Sequence, residues 1–431
     1  MDFAESTKYL YSLGNEVSAM KLGLENIRTL LTALGDPQNS YLKVQVAGTN
    51  GKGSVCAFLN SICLEAGVKT GLYTSPHLIS INERVKINGV DIGEDDFARL
   101  AIIVRETSEK LVVNGKLESV PTFFEQVTAI ALKAFAEAKV ELAILETGLG
   151  GRLDATTAAN AEIASITQID FDHQEYLGGT LEEIAAEKAA IIHKGSTVVV
   201  GQQRADAMKV VLDRCTEFGI TPITDCETGV WAIDSIKHSA VTMFRTLREV
   251  YGDASLGLSG RHQIENARIA VLLADVLRFD FGLDIHPHNV FEGLEEVRHP
   301  GRLEFSGQFL FDGAHNIAGA KALREFLDEF ITQPITLIFG AMKGKDVSKI
   351  AEILFPKAVS IILTRPDNTR ALSAEEIVTF VPNTIDRTNI LLTDTVEQAL
   401  AKANEIMPEN GLILVTGSLY LVGEAKKILN N

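Results

Sequence analysis

A glycine-rich turn between a predicted strand and a predicted helix is the feature that most constrains this chain. The turn reads Gly48-Thr49-Asn50-Gly51-Lys52-Gly53-Ser54; a β-prone run over 43–47 precedes it, and residues 55–66, which follow it, have an apolar side at helical spacing. Backbone N–H groups in such a turn, together with the N-terminus of the helix, bind phosphate oxygens. The sequence therefore predicts a phosphate-binding loop in which Lys52 adds a positive charge and Ser54 offers a hydroxyl to Mg²⁺.

The turn departs from the Walker pattern of other phosphate-binding loops. Val46 stands where that pattern has its first glycine, and Gly53 separates Lys52 from Ser54. A glycine-rich turn that only caps a helix is the alternative interpretation. The strand before the turn, the helix after it and the lysine within it favour phosphate binding.

The rest of the chain alternates strand and helix patterns. The runs 141–146 and 163–169 are nearly continuous apolar stretches, which are typical of parallel strands covered on both faces. Helical patterns over 123–138 and 181–192 alternate with them, and this order predicts a doubly wound α/β sheet. The shorter runs of 229–257 predict a small antiparallel sheet.

The segment Arg298-His299-Pro300-Gly301-Arg302 predicts a domain boundary, because Pro-Gly breaks both helix and strand. The chain has 431 residues, which is more than one domain of about 100–200 residues needs. Beyond the boundary, strand patterns recur at 309–312, 335–340, 359–364, 390–393 and 412–416. We therefore expect an α/β domain over 1–297 and a smaller α/β domain over 298–431.

Charge and cysteine content exclude several classes of protein. The chain has 40 Lys and Arg residues against 57 Asp and Glu residues, and the formal net charge of −17 disfavours non-specific binding to nucleic acid or to an anionic membrane. It has no apolar run of about 18 residues, as a membrane span needs, and its start lacks the blocks of a signal peptide. Four cysteines without a CxxC pair are typical of reduced thiols. We expect a cytoplasmic protein.

Sequence blocks along nearly the whole chain resemble, in the same order, those of the folylpolyglutamate synthase and dihydrofolate synthase family of the Mur ligase superfamily. The glycine-rich turn is the first block. The others are Tyr73-Thr74-Ser75-Pro76-His77-Leu78, Asn82-Glu83-Arg84, Pro121-Thr122-Phe123-Phe124-Glu125, Glu146-Thr147-Gly148-Leu149-Gly150-Gly151-Arg152-Leu153-Asp154-Ala155-Thr156, Asp172-His173, Ala186-Glu187-Lys188-Ala189, His262-Gln263, Asn266-Ala267, Pro300-Gly301-Arg302-Leu303-Glu304, Asp312-Gly313-Ala314-His315-Asn316 and Thr416-Gly417-Ser418-Leu419-Tyr420. The resemblance implies a P-loop, Mur-ligase-like N-terminal domain that binds ATP and pterin. It implies a Rossmann-like C-terminal domain that binds glutamate.

The ATP site follows from the same resemblance. It comprises Thr49, Asn50, Gly51, Lys52, Gly53, Ser54, Asn266, Arg302, Asp312 and His315. An arginine suits phosphate oxygens through its planar fork, and an aspartate suits hydrogen bonds to a ribose or a base. The residues alone leave open that Arg302 caps the linker and that Asp312 caps the following helix.

The resemblance also assigns metal and catalytic residues. It gives Mg²⁺ to Ser75, Glu146 and His173, and catalytic roles to Lys52, Lys188 and His173. Glu146 ends an apolar strand, so its carboxylate is expected at the edge of the sheet where ligands collect, and Mg²⁺ prefers oxygen ligands. A capping or salt-bridged Glu146 and a structural His173 are the alternatives. In the family, the lysine that matches Lys188 is carbamylated. The residues alone give a different expectation, because an alanine-rich helix predicts a solvated surface lysine at this position.

The acceptor site that the resemblance implies comprises Thr122, Phe123, Phe124, Glu125, Leu153, Asp154 and Ala155. Phe123 and Phe124 offer apolar and stacking surface to a flat pterin, and Asp154 offers acceptors to its N–H groups. The alternative is that these residues have only structural roles: Phe123 and Phe124 as core residues at the start of a helix, and Asp154 as a turn residue.

The function that these expectations favour is an ATP-dependent ligase that adds L-glutamate to reduced folates, and also to dihydropteroate, through an acyl phosphate. A different Mur-type amino-acid ligase and a non-enzymatic nucleotide switch are the alternatives. We expect a monomer that uses ATP and Mg²⁺ and binds neither nucleic acid nor membrane.

Overall fold

In a computed structural model, which describes residues 1–14, 23–234 and 238–430, the run before the glycine-rich turn is an inner strand of a seven-stranded sheet. The strands of this sheet are β1 (Leu42–Ala47), β2 (Thr70–Tyr73), β3 (Val85–Ile87), β4 (Val90–Asp91), β5 (Leu142–Glu146), β6 (Ile163–Ile166) and β7 (Thr197–Val200). Their order is β4-β3-β2-β5-β1-β6-β7, and β2, β5, β1, β6 and β7 are parallel. The parallel sheet that the apolar runs predict is confirmed.

Helices cover both faces of this sheet. They are α1 (Phe3–Ser12), α2 (Glu25–Ala33), α3 (Lys52–Glu65), α4 (Glu94–Val113), α5 (Phe123–Ala138), α6 (Gln174–Leu177), α7 (Leu181–Ala189), α8 (Ala205–Glu217), α9 (His262–Phe279) and α10 (Pro287–Glu296). Residues of α1, α2, α4 and α5 form one core cluster with Ala143 and Leu145 of β5, whereas α7 and α8 pack against Ala164 and Ile166 of β6. On the other face, α3 packs against β1, β2 and β5, and α10 packs against α3.

Two predicted helix boundaries are wrong in detail. The helix expected over 55–66 begins earlier, at Lys52, because Gly51 adopts φ +86° and starts the helix inside the turn. The helix expected over 181–192 ends at Ala189, since Ile191 and Ile192 donate to carbonyls only three residues back and so tighten the last turn. The helix predicted over 123–138 has those bounds in the structure.

A three-stranded sheet occupies the region where a small sheet was expected. Its strands are β8 (Cys226–Asp234), β9 (Ser239–Thr246) and β10 (Val250–Ser255), in the order β10-β9-β8.

The C-terminal part of the chain forms a six-stranded sheet in the order β11-β12-β16-β13-β14-β15. Its elements are β11 (Glu304–Ser306), β12 (Phe309–Asp312), α11 (Ile317–Phe330), β13 (Ile335–Phe339), α12 (Val347–Leu354), β14 (Ala358–Leu363), α13 (Ala374–Val378), β15 (Ile390–Leu392), α14 (Val396–Ile406), β16 (Leu412–Thr416) and α15 (Leu419–Asn430). β11 is antiparallel to β12, and the other neighbouring strands of this sheet are parallel to each other. The strand patterns predicted beyond the boundary each coincide with one of these strands.

The chain forms two compact units. The first comprises Met1–Gly229, Met243–Ala254 and Glu265–Glu296, and the second comprises Val230–Thr242, Ser255–Ile264 and Val297–Asn431. Two short segments from before residue 297 thus pack with the C-terminal sheet. The division into functional domains at 297 and 298 stays a prediction. Within the part of the chain that the structure describes, no helix combines the length and the apolar character needed to cross a bilayer.

Candidate active site

The backbone of the glycine-rich turn is fixed by its neighbours between β1 and α3. Gly48 has φ +156° and Gly51 has φ +86°, values at which a side chain is strained. A Cβ atom on Gly48 would clash with Oγ1 of Thr167, and this hydroxyl donates a hydrogen bond to Asn50 O at 2.7 Å. The N–H groups at the start of α3 are therefore held in one arrangement, which suits phosphate oxygens.

Two lysines converge on one carbonyl of this turn. Lys52 Nζ donates to Gly48 O at 3.1 Å and to Thr49 O at 3.2 Å. Lys188 Nζ, which comes from α7, donates to Gly48 O at 2.9 Å. Lys188 is only 4% exposed, so the interpretation of it as a solvated surface lysine is wrong. The structure thus brings Lys188 to the phosphate loop.

The environment of Lys188 favours its neutral form. Burial, and then the nearby charge of Lys52, lower the pKa of the Lys188 amine to about 7, whereas Asp172, Asp154 and Glu187 oppose this change. A substantial fraction of the amine is therefore uncharged near neutral pH. An uncharged amine is a nucleophile, which an ordinary lysine at this pH is not.

Helix α9 packs against the turn through Asn266. A Cβ atom on Gly51 would clash with Oδ1 of Asn266, and Asn266 is 8% exposed. The side-chain amide therefore lies directly against the phosphate loop, and only glycine fits at position 51. The predicted contact of Asn266 with the base of ATP stays a prediction.

Glu146 and Ser75 lie together at the carboxyl edge of the first sheet. Glu146 ends β5 opposite Val46 of β1, and it is 7% exposed. Ser75, which follows β2, donates its backbone N–H to Glu146 Oε2 at 3.1 Å. A buried carboxylate beside a serine, at the level where the glycine-rich turn begins, supplies the oxygen ligands that Mg²⁺ prefers.

His173 lies on the loop after β6 and precedes α6. Its φ is +49°, and its Nε2 is 3.9 Å from Asp172 Oδ1. In the described ranges, no group of three or more His, Cys, Asp or Glu side chains could hold a metal ion. A Mg²⁺ ion at this edge would therefore depend on Glu146, Ser75 and oxygen atoms of the nucleotide. That His173 is a metal ligand stays a prediction.

Thr122 and Glu125 start helix α5 as a reciprocal cap. Thr122 N donates to Glu125 Oε2 at 2.7 Å, and Glu125 N donates to Thr122 Oγ1 at 3.4 Å. Each side chain satisfies a backbone N–H that the first turn of a helix leaves without a partner. These two predicted acceptor-site residues thus have a structural role at the start of α5.

Phe123 and Phe124 differ in their surroundings. Phe123 is 2% exposed and stacks on Tyr11 with ring centroids 5.6 Å apart. Phe124 is half-buried, and a Cβ atom on Gly148 would lie 2.6 Å from its ring. Phe124 therefore lies against the loop after β5, where it has ring surface left to meet a flat ligand.

Asp154 organises the loop that follows β5. Its Oδ2 accepts hydrogen bonds from Gly148 N and Leu149 N, both at 2.9 Å, and its Oδ1 accepts from N and Oγ1 of Thr156. The carboxyl is 5% exposed; burial raises its pKa, and the hydrogen bonds oppose this change. Both oxygens are thus occupied by the loop itself, which the sequence did not reveal.

The same loop packs tightly on the end of α7. A Cβ atom on Gly151 would lie 2.6 Å from Glu187 O and 2.9 Å from Lys188 O, so the backbones meet with no room for a side chain. Leu153 is half-buried and Ala155 is buried in this loop. The structure therefore brings the predicted acceptor loop to the helix that carries Lys188.

In the second unit, Asp312 fixes the loop after β12. It is 8% exposed and accepts hydrogen bonds from Leu303 N at 3.0 Å and Ala314 N at 2.9 Å. Burial raises the pKa of its carboxyl, and the charge of Arg302 opposes this change. A Cβ atom on Gly313 would lie 3.3 Å from Nη1 of Arg302. Arg302 and Asp312, which the sequence predicts to bind ATP, therefore lie together.

His315 lies on the same loop. Its Nδ1 is 2.8 Å from Gly313 O. Since a carbonyl oxygen can only accept, Nδ1 carries the proton, and Nε2 of the neutral ring is an acceptor. The backbone of the loop thus fixes the tautomer of His315.

Sequence reasoning gave no role to a cluster around His77. Arg84 Nε donates to His77 Nδ1 at 2.8 Å, and Tyr11 Oη is 3.1 Å from His77 Nε2. The guanidinium of Arg84 also lies 5.4 Å from the centre of the Phe123 ring. Burial, and then the charge of Arg84, lower the pKa of His77 to about 3, so the ring is neutral at pH 7. The sequence feature that could have indicated this cluster is the pair of family-like blocks that hold His77 and Arg84.

Comparisons with known proteins find matches that together span nearly the whole chain. Residues 46–274 match the Mur ligase middle domain, and residues 299–428 match the dihydrofolate synthetase C-terminal domain. Dihydrofolate synthetase of Saccharomyces cerevisiae is 34% identical over 96% of this chain and 99% of its own length. Dihydrofolate synthase/folylpolyglutamate synthase of Bacillus subtilis is 32% identical over 95% of both chains.

A solved structure is similar as well. Folylpolyglutamate synthase of Mycobacterium tuberculosis, complexed with ADP, superposes with a TM-score of 0.92 at 30% identity. The match covers 100% of this chain and 98% of that one.

Proposed function

This chain belongs to the folylpolyglutamate synthase and dihydrofolate synthase family of Mur ligases, and from this premise we propose how its residues carry out the reaction. It is an ATP-dependent ligase that joins L-glutamate to a folate. The alternative of a nucleotide switch without catalytic activity is not supported, because full-length relatives are ligases.

The reaction that we propose has two steps. The γ-phosphoryl group of ATP passes to an oxygen of the acceptor carboxylate, which gives an acyl phosphate and ADP. The amine of L-glutamate then attacks the acyl carbon, and the tetrahedral intermediate loses inorganic phosphate to leave an amide. Phosphorylation is needed because an unmodified carboxylate would have to expel an oxide ion.

The convergence of Lys52 and Lys188 on Gly48 O is the observation that carries this proposal. The N–H groups of the turn would bind the β- and γ-phosphates, and Lys52 would offset negative charge as the phosphoryl group moves. In the second unit, Arg302, Asp312 and His315 would contact ATP.

Mg²⁺ would be held by Glu146 and Ser75, with His173 as a further contact. The support is the buried Glu146 carboxylate, 3.1 Å from Ser75 N, at the edge where the phosphate loop begins. When bound, Mg²⁺ would neutralise charge on the phosphate oxygens. Glu146 is then the residue that orients the ion.

We further propose that Lys188 is carbamylated. Carbamylation forms a bond between a neutral amine and CO₂ with loss of one proton, and the amine of Lys188 has a pKa of about 7. The product is an anion next to the cation of Lys52, which stabilises it.

If Lys188 carries a carbamate, protein equilibrated with ¹³C-bicarbonate should give a carbamate carbon signal by NMR. The signal should grow as pH rises through about 7, because the neutral amine is the reactive form. It should vanish in Lys188→Ala and persist in Lys194→Ala, a nearby exposed lysine. Absence of a signal at pH 8.5 in active enzyme would refute the modification.

The acceptor range includes dihydropteroate as well as tetrahydrofolate in our proposal. Phe124 offers ring surface beside the loop that Asp154 holds, and Thr122, Phe123, Glu125, Leu153 and Ala155 would complete the pterin site. A flat pterin would stack on Phe124.

Purified protein should release ADP in a glutamate-dependent manner with either acceptor. Each rate should exceed the background measured without acceptor. Without L-glutamate, ADP release should stop after the first turnover. If dihydropteroate gives only background while tetrahydrofolate is used, the protein is a polyglutamate synthase alone. If neither acceptor is used, the proposed function is wrong.

We also propose that the enzyme is a cytoplasmic monomer. Its reduced cysteines and negative net charge support this setting. No nucleic-acid or membrane partner is proposed.

A further inference from the structure

A glutamine lies inside the seven-stranded sheet, at a position where the neighbouring residues of the strand are apolar. Gln45 is in the middle of β1, between Val44 and Val46, and it is 1% exposed. β1 itself is an inner strand, paired with β5 on one side and with β6 on the other. Burying an amide costs free energy unless its polar atoms find partners, so the contacts of this side chain are what its presence has to be explained by.

The amide of Gln45 meets two threonine hydroxyls of the acceptor loop, by which we mean residues 147–157 after β5. Gln45 Nε2 donates to Thr156 Oγ1 at 2.9 Å and to Thr157 Oγ1 at 2.8 Å. Thr156 Oγ1 in turn donates to Asp154 Oδ1 at 2.5 Å, and Thr157 Oγ1 donates to Gly151 O at 2.8 Å. Two chains of hydrogen bonds therefore run from the sheet into the acceptor loop.

The groups at the ends of these chains fix the direction of every hydrogen bond in them. A carbonyl oxygen and an ionised carboxylate can only accept, and each hydroxyl has a single hydrogen. The hydroxyl hydrogens of Thr156 and Thr157 therefore point to Asp154 and Gly151, and both hydroxyl oxygens need a donor on their other side. The two N–H bonds of the Gln45 amide supply both.

The chains end where the acceptor loop meets other parts of the site. The carboxylate at the end of the first chain orders Gly148, on which a Cβ atom would lie 2.6 Å from the half-buried ring of Phe124. The second chain ends at Gly151, on which a Cβ atom would lie 2.9 Å from Lys188 O. The position of the loop beside both Phe124 and Lys188 therefore depends on Gln45.

We propose that Gln45 is a positioning residue for the acceptor, which it places through the acceptor loop without touching a substrate itself. The inference rests on the proposed function, which puts a flat pterin against this loop and Phe124. Gln45 also lies three residues before Gly48, where the phosphate loop begins. One side chain thus ties the loop that meets the acceptor to the strand that carries the phosphate loop. This sets the distance between the reacting groups, on which the rate depends steeply.

Gln45→Met tests the role, because methionine keeps the length of the side chain and loses both donors. In glutamate-dependent ADP release, the KM for tetrahydrofolate should rise about tenfold, as the loss of two hydrogen bonds predicts, and the KM for ATP should stay within about twofold of wild type. A merely structural role in β1 would raise both values, since β1 leads directly into the phosphate loop. Equal changes in the two KM values, or no change in either, would overturn the proposal.

Gln45→Glu makes the donor depend on pH. Burial raises the pKa of a carboxyl group, which donates one hydrogen bond when protonated and only accepts when ionised. The KM for tetrahydrofolate of this variant, divided by that of wild type, should therefore rise between about pH 6 and about pH 9. A ratio that does not change with pH would contradict the role of Gln45 as a donor.

Gln38→Met is the matched control, because it makes the same change at another buried amide of the first unit. Gln38 is 7% exposed, lies before the amino end of β1 and donates through Nε2 to Asp36 Oδ1 at 3.2 Å. Its KM values should be those of wild type, and a rise equal to that of Gln45→Met would overturn the proposal. If Gln45→Met does not fold, Thr157→Val decides, since it removes one hydroxyl of the chain from a half-buried position. The KM for tetrahydrofolate alone should then rise.

Failure of the proposed function would be recognised separately, because wild type would then release no ADP in response to L-glutamate with either acceptor. In that case hydrogen–deuterium exchange decides the role of Gln45. Amides over 147–157 should exchange faster in Gln45→Met than in wild type, while those of α3 exchange at the same rate. Equal exchange over 147–157, or faster exchange in both segments, would overturn the proposal.

Discussion

Lys52→Ala should lower glutamate-dependent ADP release by about 10²–10³-fold, the loss typical of removing one group that stabilises transition-state charge. The ammonium of Lys52 reaches two carbonyls of the phosphate loop, Gly48 O and Thr49 O, so its charge lies at the loop that would bind phosphates. It contributes little to the core, so the fold should survive. Thermal unfolding and the rate of ADP release measure the two effects on the same sample.

Lys209→Ala is the matched control for this prediction. Lys209 is exposed on α8 of the same unit, so its removal changes the net charge equally without touching the turn. Activity within about twofold of wild type is expected for it. Near-normal turnover in Lys52→Ala would show that the glycine-rich turn is not part of the catalytic site.

Asp154→Ala should destabilise the protein and abolish turnover with both acceptors. The substitution leaves the N–H groups of Gly148, Leu149 and Thr156 without their acceptor in a buried loop, and we expect a loss of about 3 kcal/mol in the free energy of unfolding. The loop would then no longer hold its position on α7 beside Lys188. Urea unfolding and the two ADP-release assays provide the measurements.

Asp386→Ala offers a control with the same local motif. Asp386 also accepts from N and Oγ1 of a threonine two residues later, Thr388, but it is exposed. Water can replace its hydrogen bonds, so the loss of stability should be much smaller and activity should be retained. Equal losses in the two variants would show that burial of the loop is not what makes Asp154 important.

Several features of this protein could be predicted from neighbouring residues alone. Alternating apolar runs and breakers predicted the parallel strands, and the bounds of α5 matched because a threonine cap and a long apolar pattern define it. The glycine-rich turn could be found for the same reason, since its function depends on consecutive backbone N–H groups. The start of α3 was missed because the helix begins inside the turn, at Lys52, where glycines conceal it.

The candidate site was predictable only as a set of residue types. Glu146 and Ser75 were named from the sequence, and the structure brings them within one hydrogen bond, because strands β5 and β2 end at the same edge. The cluster of His77, Arg84 and Tyr11 was not predicted. Its members come from separate elements, and no local pattern indicates that an arginine and a tyrosine share one imidazole.

The sequence by itself determined the alternation of strands and helices, the glycine-rich turn and the residue types that a ligase of this family needs. Only the tertiary structure decided the state of Lys188, whose sequence context is that of a surface lysine. Its hydrogen-bond partner Gly48 lies 140 residues away, and its pKa is lowered mainly by burial. Burial depends on what the rest of the chain packs around a side chain, and no pattern of nearby residues contains that information.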